Sequence, residues 1–410
     1  MESRTIQPIT RHTQKPQQRV QRQRTQQRSR SKGAEAKLSY FDYNLLVVII
    51  FLIGFGLVML CSSSAYEAQD TFGNSMHYLF RQRIISVLAF VVMLLVAKVD
   101  YHLYAAYSKE LFWFSILIMA LVQTPLGVTV NGAKRWLPLP MGFSFQPSEL
   151  AKIAVILYIP YLICKMGSKA AKREGWVRLA TYGLISAGAV FFLTDNLSTA
   201  IIVMGITCIM IFVIYPKTKP FAIIIGVGAA VLFVGIQLLS MSLASSDNFR
   251  LQRILVWLKP ESFSDTYGYQ VMQGLYAIGS GGFFGKGLGN STQKLGVIPE
   301  VQNDMILTII CEELGVFGAI VVVVLFVMLL YRLLFIAKNA PDLYGSLIAT
   351  GIFAHISLQV ILNIAVVINL IPTTGVTLPF ISYGGTSVLF LMIEMGIALG
   401  ISRKIKINEK

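Results

Sequence analysis

Residues 298–314 read IPEVQNDMILTIICEEL, a run that threads Glu300, Asp304 and the Glu312–Glu313 pair through sequence otherwise apolar enough to enter a membrane. Taking a carboxylate out of water is costly, so acids held there need a ligand, a proton or a partner. Pro299 suits a helix start, and a rise of about 1.5 Å per residue sets Glu312 about 12 Å beyond Asp304. On that reading Asp304 lies near the mouth of the helix, shallow enough to meet a polar substrate or simply to settle the helix end. Glu312 and Glu313 lie deeper, where hydrogen bonds to neighbouring helices would fix packing. A second charged group occurs in NGAKRWLPLPMGFSFQPSELAK, residues 131–152. Lys134, Arg135 and Trp136 precede a helix whose first turn suits Pro147, whose exposed amides Gln146 or Ser148 can cap, and on which Glu149 and Lys152 share a face. Those residues suit either an anionic ligand or an ion pair that settles the helix end.

The elements that must position these residues are membrane spans. The 410-residue chain is 55% hydrophobic and 13% charged, against about 25% charged in soluble domains. Apolar runs fall near 44–64, 83–98, 111–123, 149–164, 177–193, 197–214, 221–240, 303–336, 343–370 and 380–401, giving ten candidate helices. Cys61, Cys164, Cys208 and Cys311 are scattered through apolar stretches without metal or disulfide spacing, and read as small buried hydrophobes.

Charge sets the expected orientation. Residues 1–37 hold ten Lys/Arg against Glu2 and Glu35, and with few apolar residues this tail, 1–40, reads as disordered and cytoplasmic. It is attracted to anionic lipid rather than to nucleic acid. The even-numbered connectors and the short basic tail 403–410 carry most of the remaining cations, which places both termini in the cytoplasm. Against this bias, Arg81, Arg83, Lys134, Arg135, Arg250, Arg253, Lys286 and Lys294 fall on outer connectors, as expected for an anionic ligand on that face.

The longest outer connector, 241–302, contains GYQVMQGLYAIGSGGFFGKGLG at 268–289, with eight glycines in 22 residues. It is not a nucleotide loop: Ser280 stands at the first glycine of the phosphate-loop pattern and Gly287 follows the lysine. Val271, Met272, Leu275, Tyr276 and Ile278 predict a short helix at the interface, and non-helical backbone at membrane depth requires a cavity, here roofed by this loop. IPTTGVTLPFISYGGTS, residues 371–387, is also broken by prolines and glycines; close helix packing is the favoured role and cavity lining the other.

In order along the chain, NGAKRW, QPSELAK, GYQ with AIGSGG, GLGNSTQK, PEVQND and LPFISYGGTS resemble the motifs of the SEDS family (shape, elongation, division and sporulation; FtsW, RodA and SpoVE), over roughly residues 40–402. The resemblance implies an all-α membrane domain over 41–402, a bundle of about ten transmembrane helices with a large extracytoplasmic loop between the seventh and eighth. It implies a peptidoglycan glycosyltransferase of the bacterial cytoplasmic membrane, which polymerises lipid II on the outer face and releases undecaprenyl diphosphate. The partners it implies are a class B penicillin-binding protein and other division proteins. GLGNSTQK and the 371–387 run look closest to the FtsW and SpoVE type, which favours septal wall synthesis over a RodA-like elongation role. The family's essential aspartate falls on Asp304; the flanking residues depart from it, with Asn303, Met305 and Leu307 where Thr, Phe and Phe are common.

The implied chemistry is attack of a sugar 4-hydroxyl on an anomeric carbon bearing a lipid diphosphate. An α donor and a β product need one displacement with inversion, hence one general base and cationic stabilisation, and no second carboxylate nucleophile. Asp304 fits the base. Arg135 is the first choice for the diphosphate, with Lys152 and Lys294 next. Glu149, Trp136, Gln146, Ser148 and Glu300 complete the expected substrate site. No cofactor is required; a divalent cation, Mg²⁺ or Mn²⁺, with Asp304 or Glu300 as ligand, is compatible. Intramembrane acids also fit a lipid II flippase or transporter, and a noncatalytic scaffold would use Asp304 only to end a helix.

Overall fold

The computed structural model describes residues 40–130, 133–139, 144–215, 219, 223, 226, 249–263 and 268–406. Its helices are α1 (Tyr43–Phe72), α2 (His77–Val96), α3 (His102–Val122), α4 (Pro147–Met166), α5 (Arg173–Thr194), α6 (Leu197–Ile214), α7 (Phe249–Leu258), α8 (Tyr269–Gly281), α9 (Ile306–Asn339), α10 (Leu343–Val367) and α11 (Thr386–Ser402). Among the described residues, eight helices are long and apolar enough to cross a membrane, and Thr386–Ser402 is a shorter apolar helix. These account for nine of the ten expected spans. The other, 221–240, lies outside the described residues apart from Ile223 and Gly226, as do tail residues 1–39 and 407–410.

Local chemistry sets the helix ends. Asp42 accepts from the Leu45 amide at 2.9 Å to open α1, Asn196 from Thr199 at 3.1 Å to open α6, and Asp342 from Gly345 at 2.8 Å to open α10. The helix α1 continues well past residue 64, the end expected from hydropathy, because Ser62–Ser64 and Glu67 find protein partners instead of ending the span. The helices α4 and α10 are buried almost all round and form the centre. By contrast α2 and α3 expose Val87, Leu88, Phe114 and Leu117, the pattern of helices that face lipid.

Residues 41–405 form one unit. At the end of the bundle away from the site, Arg332 pairs with buried Asp42 at 2.7 Å, and Ser402 Oγ accepts from the Asp42 amide at 3.3 Å, so α1, α9 and α11 are tied together. With apolar surroundings on both sides of a helix, such polar ties supply specificity that hydrophobic contrast cannot.

Three features differ from the sequence reading. Residues 128–145 hold a small antiparallel sheet, β1 (Val128–Val130), β2 (Ala133–Pro138) and β3 (Ser144–Phe145), in the order β1-β2-β3, with Val128 opposite Trp136 and Leu137 opposite Phe145. Pro299 does not start a helix: 299–305 are turns, with Glu300 at φ 56°, and α9 begins at Ile306. The cysteines are not buried; Cys61 and Cys311 are half-buried, while Cys164 and Cys208 lie on the bundle surface, where a thiol sits as readily against lipid as in a core.

Candidate active site

One end of the bundle encloses a cavity of about 880 Å³. Its walls come from β2, the start of α4, the α5–α6 junction, α7, the turns before α9 and the 371–387 segment. Seven of the nine site residues read from the sequence line it: Arg135, Trp136, Gln146, Glu149, Lys152, Glu300 and Asp304.

Pro147 occupies the first turn of α4 as expected, but neither Gln146 nor Ser148 caps the helix. The Gln146 amide instead donates to Ser148 Oγ at 3.0 Å, so Ser148, fully buried, acts behind the wall rather than on it. Lys152 Nζ and Glu149 Oε1 form the expected i,i+3 ion pair at 2.8 Å, and it is almost wholly buried, with side-chain exposures of 3% and 8%. Arg135 is aimed by β2 and donates from Nη2 to the Asp195 carbonyl at 3.0 Å. Asp195 ends α5 in the left-handed region, so that carbonyl is one a helix end leaves without an intrahelical donor.

Lys294 is a correction. It pairs with Glu313 at 2.8 Å and donates to Ser62 Oγ at 2.9 Å, and it lines a separate groove beside α1. The reading of Glu312 and Glu313 is corrected in its partners. Both are fully buried as expected, yet Glu312 bonds Lys286 and Thr292 of the glycine-rich loop rather than a helix; only Glu313 reaches one, through Ser62 of α1. Lys134 also turns away, donating to the Gln123 and Thr124 carbonyls beyond α3.

Asp304 stands two residues before α9, half-buried against the cavity. Its Oδ1 is buried without a hydrogen-bond partner among the described residues. Loss of water and then the Glu300 charge push its carboxyl up to about 6, while its own backbone N–H and the Arg253 charge pull the other way. The Asn303 side chain bonds the Glu300 carboxylate.

The backbone around Asp304 is held by residues that the sequence did not single out. Asn363 of α10, fully buried, donates to the Asp304 carbonyl at 2.9 Å and to the Val376 carbonyl at 2.7 Å. The Tyr383 amide donates to the Gln302 carbonyl at 2.8 Å. Residues 371–385 are irregular backbone with turns, leading into α11, and carbonyls of this stretch are met by side chains: Thr374 by Ser198 at 2.7 Å, Thr373 by Arg253 at 3.2 Å and Thr377 by Gln359 at 3.0 Å. Gly375, Val376, Thr377, Tyr383, Gly384 and Gly385 line the cavity, so lining, not only packing, is the role of this segment. Arg81 and Arg253, marked by sequence only as cations against the topological bias, face the cavity too.

No three His, Cys, Asp or Glu side chains gather to hold a metal among the described residues. Asp304 and Glu300 bring two carboxylates to the cavity, with Asn303 donating to the latter; one or two carboxylates are a set that holds Mg²⁺ when substrate phosphates complete its shell.

Residues 43–407 match the cell cycle protein model that covers FtsW, RodA and SpoVE. The chain belongs to this SEDS family. Over 380 residues it is 36% identical to a probable peptidoglycan glycosyltransferase FtsW of Trichlorobacter lovleyi, covering 90% of this chain and 95% of that one. Over 365 residues it is 37% identical to the stage V sporulation protein E of Bacillus subtilis, covering 88% and 97%. Its fold matches a chain of a solved peptidoglycan synthase complex, described as coordinating polymerization and crosslinking, with TM-score 0.73, 26% identity and coverage of 88% and 98%. The rod shape determining protein RodA of Thermus thermophilus matches with TM-score 0.63 at 23% identity, covering 90% and 98%, a likeness of fold. As a SEDS chain with this many apolar helices, the protein is a multi-pass membrane protein.

Proposed function

We propose that the protein is an inverting peptidoglycan glycosyltransferase that polymerises lipid II for septal wall synthesis. The reading is carried by one observation: a carboxylate with a raised pKa and an oxygen unpartnered among the described residues shares a cavity with Arg81, Arg135, Lys152 and Arg253. Two relatives named for this activity or for sporulation, each more than a third identical over nearly the whole chain, support it.

Asp304 takes the proton from the attacking 4-hydroxyl as the oxygen closes on the anomeric carbon and the diphosphate departs from the opposite face. A base of pKa about 6 is mostly ionised at neutral pH, yet still holds a proton far better than an ordinary aspartate. Charge grows on the leaving diphosphate, and the guanidinium of Arg135 can bind two of its oxygens at once. Lys152 reaches the same wall with its charge shared with Glu149, so it holds the electrostatic level of the pocket more than it grips substrate. Trp136 and Gln146 line the same cavity, and Glu300 tunes Asp304.

The distribution of basic connectors supports cytoplasmic termini and a cavity on the extracytoplasmic face. Likeness to the synthase complex supports a class B penicillin-binding protein as cross-linking partner. The test is polymerisation of purified lipid II by the protein with that partner, read as glycan ladders on a gel. Wild type should make polymer, and Asp304→Asn, folded and still partner-bound, should not. Full activity in that variant would remove Asp304 as the base. Movement of lipid II across liposomes without polymer would favour transport.

A further inference from the structure

The helix α9 is two helices joined by a break. Gly315 sits at φ 68° and ψ −163°, so the expected bonds from Val316 to Glu312 and from Phe317 to Glu313 are not made. The glycine-rich loop fills the gap. The Lys286 and Gly287 amides donate to the Glu312 and Glu313 carbonyls, each at 2.9 Å, and the Val316 and Phe317 amides donate to the Gly282 and Phe283 carbonyls, each at 3.0 Å. Two missing helix bonds are thus replaced by four bonds to the loop. The approach needs glycine: a Cβ on Gly285, itself at φ 77°, would lie 2.1 Å from the Glu313 carbonyl oxygen.

The side chains at the break lock the same contact. Lys286 meets Glu312 at 2.6 Å and Lys294 meets Glu313 at 2.8 Å. Thr292 donates to Glu312 from its hydroxyl at 3.0 Å and its amide at 3.2 Å, Ser291 adds a short hydroxyl bond, and Ser62 of α1 donates to Glu313 at 2.7 Å. Both carboxylates are fully buried, so an opened latch leaves these two charges and, on the helix side of the break, four backbone groups without partners. The half-helix it clamps, 306–314, is nine residues long, and Asp304 stands at its other end.

We propose that Glu312 and Glu313 are positioning residues for Asp304. By docking the glycine-rich loop into the break at Gly315 they fix where the half-helix sits, and so where its leading carboxylate meets substrate. The inference rests on Asp304 acting as the base. It gives the glycine-rich loop a role in the reaction without contact between Lys286 or Lys294 and substrate.

The test measures kcat and KM for lipid II, with thermal melting alongside, in full-length protein bound to its transpeptidase partner. The variants are Asp304→Asn, Glu313→Gln, Lys294→Met, the neutral pair Lys294→Met/Glu313→Gln, Ser62→Ala and Gly285→Ala. Each latch single at Glu313, Lys294 or Gly285 should lower kcat at least about tenfold while KM stays within about twofold, with melting above the assay temperature. The neutral pair should recover most of the lost kcat, because it leaves no buried charge without its partner. Gly285→Ala displaces the loop without altering a charge and should reproduce the loss. Should Glu313→Gln fail to fold, Ser62→Ala, expected to lower kcat by about threefold, and Gly285→Ala carry the test. Unchanged kcat in the latch singles, with Asp304→Asn inactive, overturns this inference alone. So does a raised KM at unchanged kcat, or a neutral pair no better than Lys294→Met, since either would mean that the charges act on substrate. Activity in Asp304→Asn overturns the assignment of the base itself.

Discussion

Asp304 and the Glu312–Glu313 pair lie eight residues apart on one stretch of chain, and their surroundings are opposite in kind. The glutamates are fully buried, and each is matched by a lysine and by hydroxyl and amide donors. Asp304 is less buried, yet among the described residues one of its oxygens has no donor, and the charges that act on it are Glu300, which opposes its ionisation, and Arg253, which favours it. Satisfied carboxylates hold structure together, here a loop against a helix; an under-satisfied one keeps the reactivity that satisfaction would remove. Burial alone would have ranked the three acids in the wrong order.

The sharpest way to break this contrast is to neutralise one acid from each region. Asp304→Asn should lower turnover by about 10²–10⁴-fold, the usual worth of a general base. Its stability should not fall. The Asp304 pKa is raised in the folded state, so the protonated form is favoured by folding; its contribution is present at low pH and lost as pH rises through about 6. Above that pH the neutral amide removes a penalty. Glu312→Gln should do the reverse in thermal melts, destabilising by about 1.5–3 kcal/mol as its bonds to Lys286, Ser291 and Thr292 lose their charge assistance.

The next effect separates cations by region. Arg135→Lys keeps the charge on the cavity wall but loses two-point binding of phosphate, and should reduce kcat about 10²-fold. If lysine serves as well, the guanidinium is not gripping the diphosphate.

A smaller loss is expected at Asn363. Asn363→Ala leaves the Asp304 and Val376 carbonyls without their shared donor inside the bundle. Stability should drop by about 1–2 kcal/mol and kcat by about tenfold, with KM little changed. Asn363→Asp, which accepts at both oxygens when ionised, should fare worse than alanine.

Most of the bundle was legible in the sequence because spans of apolar residues and the run of basic connectors are local signals. The break in α9 was not: Gly315 looks like any small residue in a membrane helix until the loop that replaces its bonds is in place. The small sheet escaped because Val128–Val130 is too short to show alternation. In the site, Asp304, Arg135, Glu149 and Lys152 were readable as charges that a bilayer penalises. Lys294 was misplaced for the same reason, since a cation near the membrane surface looks alike whether it meets a ligand or a buried glutamate. Asn363, Ser198 and Gln359 gave only the faint signal of uncharged polar residues within spans, and their role depends on the carbonyls of segment 371–387 that arrive from far along the chain.

The finest difference between the regions is in pH. Asp304 is tuned by a like charge, Glu300, and by a cation, Arg253, so removing one or the other should move the acidic limb of the rate profile in opposite directions. Wild-type kcat/KM should fall as pH drops through about 6, because the base must be ionised. Glu300→Gln removes the repulsion that raises the Asp304 pKa and should move that limb toward acid. Arg253→Met removes an attraction and should move it toward neutrality, with some loss of turnover because Arg253 also holds the Thr373 carbonyl. Desolvation is the larger cause and survives both changes, so neither variant should bring the limb down to the ordinary aspartate range. A limb that ignores both substitutions would show that some other group controls the rate.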